Sequence, residues 1–251
     1  MNLDGLEKTY WEAQITRVQD LRARIASRAA VAPGRVVPEQ TDLVIGTGRR
    51  LDAAIMFTDI SGFSSRNAVS SDEQEMMVRV LNLYFSVMVG IAEDYGGFIE
   101  KNTGDGLMAY FEAKPAGDPG ANPTKRALSC ALTMDAVNLY LVEPILRASG
   151  IPPIQYRTSI EYGPITIARL GTRQGFNANV AVGNAANFAA KMLSLLRPAE
   201  IGLGAAAYDQ VPLDWRYLYA QLSDVNTGWV YTGTSAPYPL YLYTGRWARV
   251  I

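Results

Sequence analysis

The chain has 251 residues, which is enough for one large domain or for one domain with extensions. Its hydrophobic content of 49% and charged content of 19% are typical of a globular protein, and a net charge of −1 gives no electrostatic footprint for a nucleic-acid partner. No apolar run reaches the length of a membrane span and the first residues do not form a signal peptide, so we expect a cytoplasmic protein with no membrane partner. The single cysteine, Cys130, excludes an internal disulfide, and the lack of histidine means that any catalysis must use carboxylates, hard metals, amides and cations.

Apolar residues in the first 30 positions, from Leu3 to Ile25, recur at mostly helical spacing. This pattern predicts a helix that either packs on its own domain or pairs with a second copy of the chain. The stretch from Ala32 to Pro38 breaks the helix and leads into an irregular connector. We therefore divide the chain into an N-terminal helix and connector, residues 1–48, and a main domain, residues 49–251.

An apolar strand is predicted from Leu51 to Thr58, and it delivers one carboxylate, Asp59, at its end. The small residues that follow it permit a tight turn into a helix. A strand that ends in Asp, beside backbone N–H groups near a helix start, can hold a metal ion next to a polyphosphate. Taken alone, Asp59 fits a turn or capping role at least as well.

A second carboxylate strengthens the metal interpretation. A capping box at Ser70–Glu73 predicts a long helix to about residue 95. Residues 98–111 then predict a strand, a Gly-Asp-Gly turn and a second strand, a β-hairpin with Asp105 at its tip. Asp105 is either only the turn residue or lies beside Asp59. Two converging carboxylates repel unless a cation sits between them, and Mg²⁺ usually takes one or two carboxylates plus substrate phosphates.

The later part of the chain is predicted to contain further strands and helices. In chain order they are a loop over 113–123, a helix from Thr124 to Val142 that ends before Pro144, a strand from Ile154 to Tyr162, a turn at Gly163-Pro164, a partner strand from Ile165 to Leu170, a loop over 171–179, a helix from Gly183 to Leu196, and short aromatic-rich strands over 215–222, 228–232 and 240–243. Two hairpins interrupt the alternation of strands and helices, which favours an α+β fold with an antiparallel or mixed sheet. A ferredoxin-like core with an N-terminal helix and a C-terminal β extension fits this order.

Three motifs carry a resemblance to a known family. They are Phe57-Thr-Asp-Ile-Ser-Gly-Phe63, Lys101-x-x-Gly-Asp-Gly106 and Val182-Gly-Asn-Ala-Ala-Asn-Phe-Ala-Ala-Lys-Met192. In this order and spacing they resemble the class III nucleotide cyclases over about residues 51–197, and the departures resemble the pyrimidine cyclases of the Pycsar antiphage systems. The resemblance implies the ferredoxin-like cyclase fold and the conversion of a nucleoside triphosphate to a 3′,5′-cyclic monophosphate and pyrophosphate.

The resemblance also implies which residues form the site. Two Mg²⁺ or Mn²⁺ ions per active site would be held by Asp59, Asp105 and the carbonyl of Ile60. The β- and γ-phosphates would be cradled by the N–H groups of Ile60, Ser61, Gly62, Phe63 and Ser64. On a later helix, Asn187 would orient the ribose and Lys191, four residues on and therefore on the same face, would stabilise charge at the α-phosphate. Lys191 replaces the usual Arg and cannot form its planar fork, and its alternative is a solvated helix lysine.

Base selection departs furthest from the purine cyclases. Adenylyl-type members carry a Lys four residues before the second Asp, here Lys101, and an Asp seven residues before the Asn, where this chain has Val180. Valine cannot accept the exocyclic N–H of adenine or donate to a guanine oxygen, and a site without that polar partner loses much of its discrimination. Lys101 could meet O2 or O4 of uracil or O2 of cytosine, so we expect UTP or CTP and favour UTP. The alternative for Lys101 is a lysine at the hairpin edge.

The resemblance also implies how the protein assembles. By resemblance, each site forms at a head-to-tail homodimer interface, with Asp59 and Asp105 from one protomer and Asn187 and Lys191 from the other. The product would be a second messenger that activates a separate effector during phage infection. Two alternatives are an adenylyl or guanylyl cyclase that reads the purine with other groups, and a degenerate cyclase-homology module without turnover.

Overall fold

The computed structural model describes residues 3–27, 48–63, 66, 69–102, 105–118, 120–171 and 177–248. Several predicted features lie outside these residues: the connector over Ala32–Pro38, the phosphate-loop residue Ser64, and positions 172–176 of the predicted loop over 171–179. Lys101 belongs to a described strand, but its side chain is not among the described ones.

The described residues form helices on both sides of one sheet. In chain order the elements are α1 Lys8–Ser27, β1 Gly48–Ile60, α2 Ser71–Asp94, β2 Phe98–Asn102, β3 Gly106–Glu112, α3 Pro123–Val137, a π-helical turn Asn138–Val142, α4 Glu143–Ala148, β4 Tyr156–Gly171, β5 Asn177–Val182, α5 Asn184–Met192, a 3₁₀ turn Leu193–Leu195, β6 Ile201–Gly204, α6 Ala205–Gln210, α7 Leu213–Tyr219, β7 Ala220–Leu222 and β8 Leu240–Tyr243.

The sheet has eight strands in the order β2-β3-β1-β4-β6-β8-β7, with β5 also paired to β4. The β4–β6 pair is parallel and the other strand pairs are antiparallel. The predicted α+β fold with a mixed sheet and a C-terminal β extension is therefore confirmed. The central strands β1 and β4 pair over 13 residues, so whatever lies at their ends is held by the most extensively paired part of the sheet.

Two apolar clusters lie on the two faces of the sheet. Because side chains alternate along a strand, Ala54 and Met56 of β1 enter one cluster while Ala53 and Ile55 enter the other. The larger cluster is covered by α1, α2 and α3, and the smaller one by α5. Among the described helices, three long ones thus cover one face of the sheet, and α5, with nine residues, covers the other.

Helix α2 begins as predicted. Ser70 Oγ accepts a hydrogen bond from the Glu73 N–H, and the Glu73 carboxylate accepts one from the Ser70 N–H, which completes the capping box. By length and composition alone, α2 is long and apolar enough to cross a membrane, although the sequence was expected to contain no such segment. One such helix is weak evidence for a span, and its buried residues, such as Tyr84 and Met88, pack in the larger cluster as in a core helix.

The described part of helix α1 packs on its own domain, one of the two predicted alternatives, and pairing with a second copy stays a prediction. Trp11 and Val18 are buried in the larger cluster. Asp94, at the end of α2, accepts hydrogen bonds from Tyr10 and Gln14 and forms an ion pair with Arg17 at 2.8 Å. The division of the chain at residue 48 stays a prediction.

The turn predicted at Gly163-Pro164 is wrong, because β4 runs through it without a break. On one edge β4 pairs with β1 from Tyr156 to Ala168. On the other edge residues 158–160 pair with β6 and residues 166–171 pair with β5, so the proline lies where this edge changes partner. A residue without an N–H is tolerated there because no described strand needs it as a donor.

Two later predictions also differ from the structure. The helix from Thr124 does not end before Pro144, because α3 continues through the π-helical turn into α4, and Pro144 occupies the first turn of α4, which tolerates proline. The aromatic stretch over 215–222 is helical as far as Tyr219, where α7 ends, and only 220–222 form a strand. Residues 228–232 contribute a single bridge, Val230 with Pro237, whereas the strand over 240–243 is confirmed.

Candidate active site

The sheet brings the two predicted metal-binding carboxylates to one end of neighbouring strands. In the antiparallel register of β1 and β3, Asp59 lies opposite Gly106, so Asp105 is one residue from that pairing. The Ile60 N–H donates to the Asp105 carbonyl at 3.2 Å, which ties the strand end to the hairpin tip. We call Asp59 and Asp105 the carboxylate pair.

The carboxylate pair is electrostatically unfavourable as it stands. Burial raises the pKa of Asp105 above its ordinary value, and the nearby Asp59 carboxylate, with which Asp105 shares a hydrogen bond, raises it further. The Arg157 guanidinium acts in the opposite direction on the pKa of Asp105 and only partly compensates. A second cation at this end of the sheet would relieve the repulsion between the two carboxylates.

Arg157 is the functional candidate that sequence reasoning missed. It lies opposite Asp59 in the β1–β4 register, and its Nη2 donates to Asp59 Oδ2 at 3.1 Å. Its Nη1 donates to the carbonyl of Leu196, and its Nε is buried without a hydrogen-bond partner among the described residues. The signal was a lone cation in a predicted strand, which becomes informative only once the pairing of that strand with β1 is known.

The turn after Asp59 has the tight geometry that was expected. Gly62 adopts a positive φ of 67°, which favours glycine. The Ser61 N–H donates to the Gln155 carbonyl at 2.7 Å, so this N–H, like that of Ile60, is already engaged within the chain. The Ser61 hydroxyl oxygen is buried and has no hydrogen-bond partner among the described residues. The turn therefore carries a buried hydroxyl two residues after Asp59, whereas the phosphate role of Ser61, Gly62, Phe63 and Ser64 stays a prediction.

These groups fit a magnesium-type site that is completed by substrate. Within the described ranges, no cluster of three or more His, Cys, Asp or Glu side chains could hold a metal ion. Two carboxylates, the carbonyl of Ile60 and the partnerless hydroxyl of Ser61 supply hard oxygen atoms. A hard divalent ion that keeps waters and takes substrate phosphates as its remaining ligands matches such a set.

The second pair of predicted site residues lies on α5. The α5 side chains that face the sheet are mostly small and are buried in the smaller cluster. They are Ala185, Ala186, Ala189 and the longer Met192. Asn187 and Lys191 lie on the opposite, exposed side of the helix. Among the described residues, no hydrogen bond or ion pair joins Asn187 or Lys191 to the carboxylate pair. The single chain therefore presents these two groups to solvent.

The two predicted base-reading positions lie on strands that touch. Lys101 is opposite Met108 in the β2–β3 pair, and Val180 is opposite Ala168 in the β4–β5 pair. The N–H of Ala181 donates to the Glu100 carboxylate at 2.7 Å, which joins β5 to β2. Strands β2 and β5 are therefore neighbours at this point, and a shared role of Lys101 and Val180 in base reading stays a prediction.

Comparisons with known proteins agree with this geometry. A family model described as the adenylate and guanylate cyclase catalytic domain matches residues 47–226. A uridylate cyclase from Burkholderia cepacia is 27% identical over 164 residues, covering 63% of this chain and 67% of that protein. An adenylate cyclase from Anabaena cylindrica is 28% identical over 159 residues, covering 62% of this chain but only 30% of that protein. The crystal structure of the adenylyl cyclase CyaB from P. aeruginosa superimposes with a TM-score of 0.61 at 24% identity, covering 79% of this chain and 96% of that one.

Proposed function

Because the chain belongs to the family of adenylate and guanylate cyclase catalytic domains, we propose that it converts UTP or CTP to the 3′,5′-cyclic monophosphate and pyrophosphate. The observation that carries the reaction is the carboxylate pair, held where β1 ends and β3 begins, whose mutual repulsion the Arg157 guanidinium only partly offsets. In the reaction, the 3′-oxygen bonds to the α-phosphorus as the bond to pyrophosphate breaks, and the hydroxyl proton is lost to solvent.

Each site residue has a defined role in this proposal. Asp59, Asp105 and the Ile60 carbonyl hold two Mg²⁺ or Mn²⁺ ions, which lower the pKa of the 3′-hydroxyl and neutralise the leaving pyrophosphate when bound. Asn187 orients the ribose, and Lys191 places a point charge at the α-phosphate. Since the protein then only positions groups and stabilises charge, a chain without histidine can carry out this reaction.

The site is divided between the two subunits of a homodimer. The exposure of Asn187 and Lys191, which no hydrogen bond or ion pair among the described residues joins to their own carboxylate pair, supports this arrangement, because in a two-fold dimer each subunit completes the site of the other. We expect Asp59→Ala and Asn187→Ala to be inactive alone and active when mixed, since one hybrid site keeps both intact halves. Cyclic nucleotide is measured after co-expression with two affinity tags. No recovery in a purified heterodimer would contradict a shared site.

The pyrimidine preference follows from the base-reading positions. Val180 cannot hydrogen-bond a purine edge, and Lys101 can donate to O2 or O4 of uracil. The likeness to a uridylate cyclase supports this choice, and UTP is favoured over CTP. Introducing an acceptor by Val180→Asp is expected to raise turnover of ATP relative to UTP, with Val182→Asp, on the same strand, as the matched control. Unchanged relative turnover would remove Val180 from base selection.

A second candidate is a purine cyclase, which the likeness to an adenylate cyclase favours. It would have to read adenine or guanine with groups other than residue 180. A module without turnover is the third candidate, and the retained carboxylate pair argues against it, because a non-catalytic fold gains nothing from two repelling charges. Product formation from separate ATP, GTP, CTP and UTP incubations distinguishes the three.

The cellular role is proposed on resemblance alone. The product is a second messenger in the cytoplasm, and it activates a separate effector protein during phage infection. We expect the intracellular concentration of the cyclic pyrimidine to rise after infection in cells that carry the parent gene, and not in cells that carry Asp59→Ala. A concentration that is the same with and without phage would contradict the defence role and leave the reaction untouched.

A further inference from the structure

The irregular segment between β7 and β8, residues 223–239, crosses the side of the sheet that carries α5, and we call it the strap. The Tyr238 N–H donates to the Trp229 carbonyl at 2.8 Å, and the Tyr231 N–H donates to the Ala236 carbonyl at 3.0 Å, so the strap folds back on itself. Val230 and Pro237 form a bridge between the two arms. The family match ends at residue 226, so most of the strap lies beyond the region that this chain shares with the family.

The strap contacts α5 at the ring of Phe188. The ring of Phe188 stacks on Trp229, with centroids 5.3 Å apart and planes at 27°, and on Tyr238, with centroids 5.2 Å apart and planes at 25°. Phe188 is the largest side chain of α5, and it directly follows Asn187. Offset stacking of this kind adds to simple burial and fixes the orientation of the rings.

The strap is itself anchored by a buried polar group. The Tyr238 hydroxyl donates to Glu161 Oε2 at 2.8 Å and accepts from the Ala206 N–H at 3.1 Å. Glu161 is 1% exposed, and its other oxygen accepts from the N–H groups of Tyr162 and Ala207. A contiguous chain of contacts therefore runs from strand β4, through Glu161 and Tyr238, to Phe188 on α5.

A purely apolar cover would not require this anchor. Burial raises the pKa of Glu161, because the charged carboxylate is unfavourable away from water. Three hydrogen bonds to the carboxylate offset part of this cost. Directional hydrogen bonds fix a position, whereas apolar contacts tolerate sliding. Position matters for α5 because its sheet-facing side chains are mostly alanine and because Asn187 points outward.

We propose that the strap is a positioning element for the helix that carries Asn187 and Lys191. This inference rests on the proposed function, in which those residues act on the nucleotide bound by the partner subunit. Phe188, Trp229 and Tyr238 are positioning residues that touch no substrate. They hold Asn187 at the place where it meets the ribose, and a displacement of about 1 Å there costs about 100-fold in rate.

Removing the ring is expected to lower kcat more than it changes KM. We expect Phe188→Ala to lose about 10- to 100-fold in kcat, with KM within about threefold, and Phe188→Tyr, which keeps the stacked ring, to stay near the parent value. The matched control is Tyr217→Ala, which removes an exposed aromatic ring from α7 outside the strap and is expected to leave both constants unchanged. Equal kcat losses in Phe188→Ala and Tyr217→Ala would overturn the proposal.

Subunit mixing assigns the defect to one half of the site. With Asp59→Ala as its partner, Phe188→Ala should recover to the level of the Asp59→Ala and Asn187→Ala mixture, because one hybrid site keeps an intact α5 and an intact carboxylate pair. With Asn187→Ala as its partner it should not recover, because neither site then has an intact α5. Recovery with both partners, or with neither, would contradict the positioning role.

Two controls keep this result interpretable. If Phe188→Ala does not melt as a folded dimer, Trp229→Ala is carried through the same two mixtures with the same expected outcome. If the mixture of Asp59→Ala with Asn187→Ala itself fails to recover, the shared site of the proposed function is at fault. If that mixture recovers and the mixture of Phe188→Ala with Asp59→Ala does not, the strap proposal alone is wrong.

Discussion

Asp59 and Asp105 lie at the ends of central strands in an eight-stranded sheet, whereas Asn187 and Lys191 lie on the exposed side of a nine-residue helix. The first pair is held by the ladder between β1 and its two neighbours and by the ion pair with Arg157. The second pair depends on a short helix that is tied down by Phe188 and the strap. The carboxylate half, for which we propose metal binding, is fixed by the sheet, whereas the position of the other half must be set by additional contacts.

The difference has a consequence for variation of the chain. Changes to the carboxylate half should act directly on metal binding, because its backbone is fixed by the sheet. Substitutions around α5 should lower kcat because they displace Asn187 and Lys191.

Asp59→Asn is expected to have the largest effect. It keeps the shape of the side chain but removes the charge, and we expect turnover to fall about 100- to 1,000-fold, the range typical of losing one preorganised electrostatic group. Turnover is measured as pyrophosphate release. Asp20→Asn, an exposed position on α1, is the control and should retain parental activity. Parental turnover in Asp59→Asn would remove Asp59 from the metal site.

Arg157→Gln is expected to weaken metal binding by about 10- to 100-fold, as is typical when a group that orients a metal ligand is lost. The guanidinium holds the Asp59 carboxylate at 3.1 Å, and glutamine cannot replace its charge. Mn²⁺ affinity is measured by electron paramagnetic resonance without substrate. Arg147→Gln removes an exposed arginine from an ion pair on α4 and should not alter affinity. Tighter Mn²⁺ binding in Arg157→Gln would show that the arginine competes with the metal.

Asp135→Asn tests, through the pH dependence of stability, the face of the sheet that α1, α2 and α3 cover. Burial raises the pKa of Asp135 to about 6 from an ordinary value of 3.8, against the opposing effect of Arg246. Because the folded pKa is the higher one, the cost to stability is absent below about pH 4, grows between about pH 4 and 6, where only the unfolded state ionises, and is complete above about pH 6. The rise corresponds to about 3 kcal/mol. The variant should therefore gain stability relative to the parent, by up to that amount, between about pH 4.5 and 7 in chemical unfolding. A difference that does not change with pH would contradict this.

Lys191→Arg is expected to have the smallest effect. Arginine restores the planar fork that the family normally uses, while the position of the charge is still set by α5 and the strap. We expect kcat to change by less than about tenfold, which is less than about 1.4 kcal/mol in the activation barrier. Lys191→Gln, which keeps length but not charge, should lose more than Lys191→Arg. Equal activity in both variants would make Lys191 a solvated helix lysine.

The elements that could be predicted from the sequence are those fixed by local signals. The capping box at Ser70–Glu73 defines the start of α2, and the Gly-Asp-Gly sequence lies between the observed strands β2 and β3. The continuous apolar run of β1, from Ala53 to Phe57, predicts a buried strand and places Asp59 near its end. Each of these depends on neighbours in the chain, and a few residues are enough to specify them.

The features that escaped prediction depend on tertiary partners. Gly163-Pro164 looks like a turn until β4 is known to exchange β6 for β5 at that point. The residues around Trp215 favour a strand by composition, yet Trp215 is buried within a helix because its contacts override propensity. Two contacts around the site join residues far apart in sequence, so no spacing rule could predict them. They are the ion pair of Arg157 with Asp59 and the stacking of Phe188 on the strap.

The most direct test of the proposed reaction is a competition for turnover. The parent protein is incubated with Mn²⁺ and equal concentrations of ATP, GTP, CTP and UTP, and the products are identified by mass spectrometry. We predict a cyclic pyrimidine monophosphate as the main product, with cyclic UMP in excess of cyclic CMP. A cyclic purine product would contradict the interpretation of Val180, and no cyclic product from a folded dimer would contradict the cyclase itself.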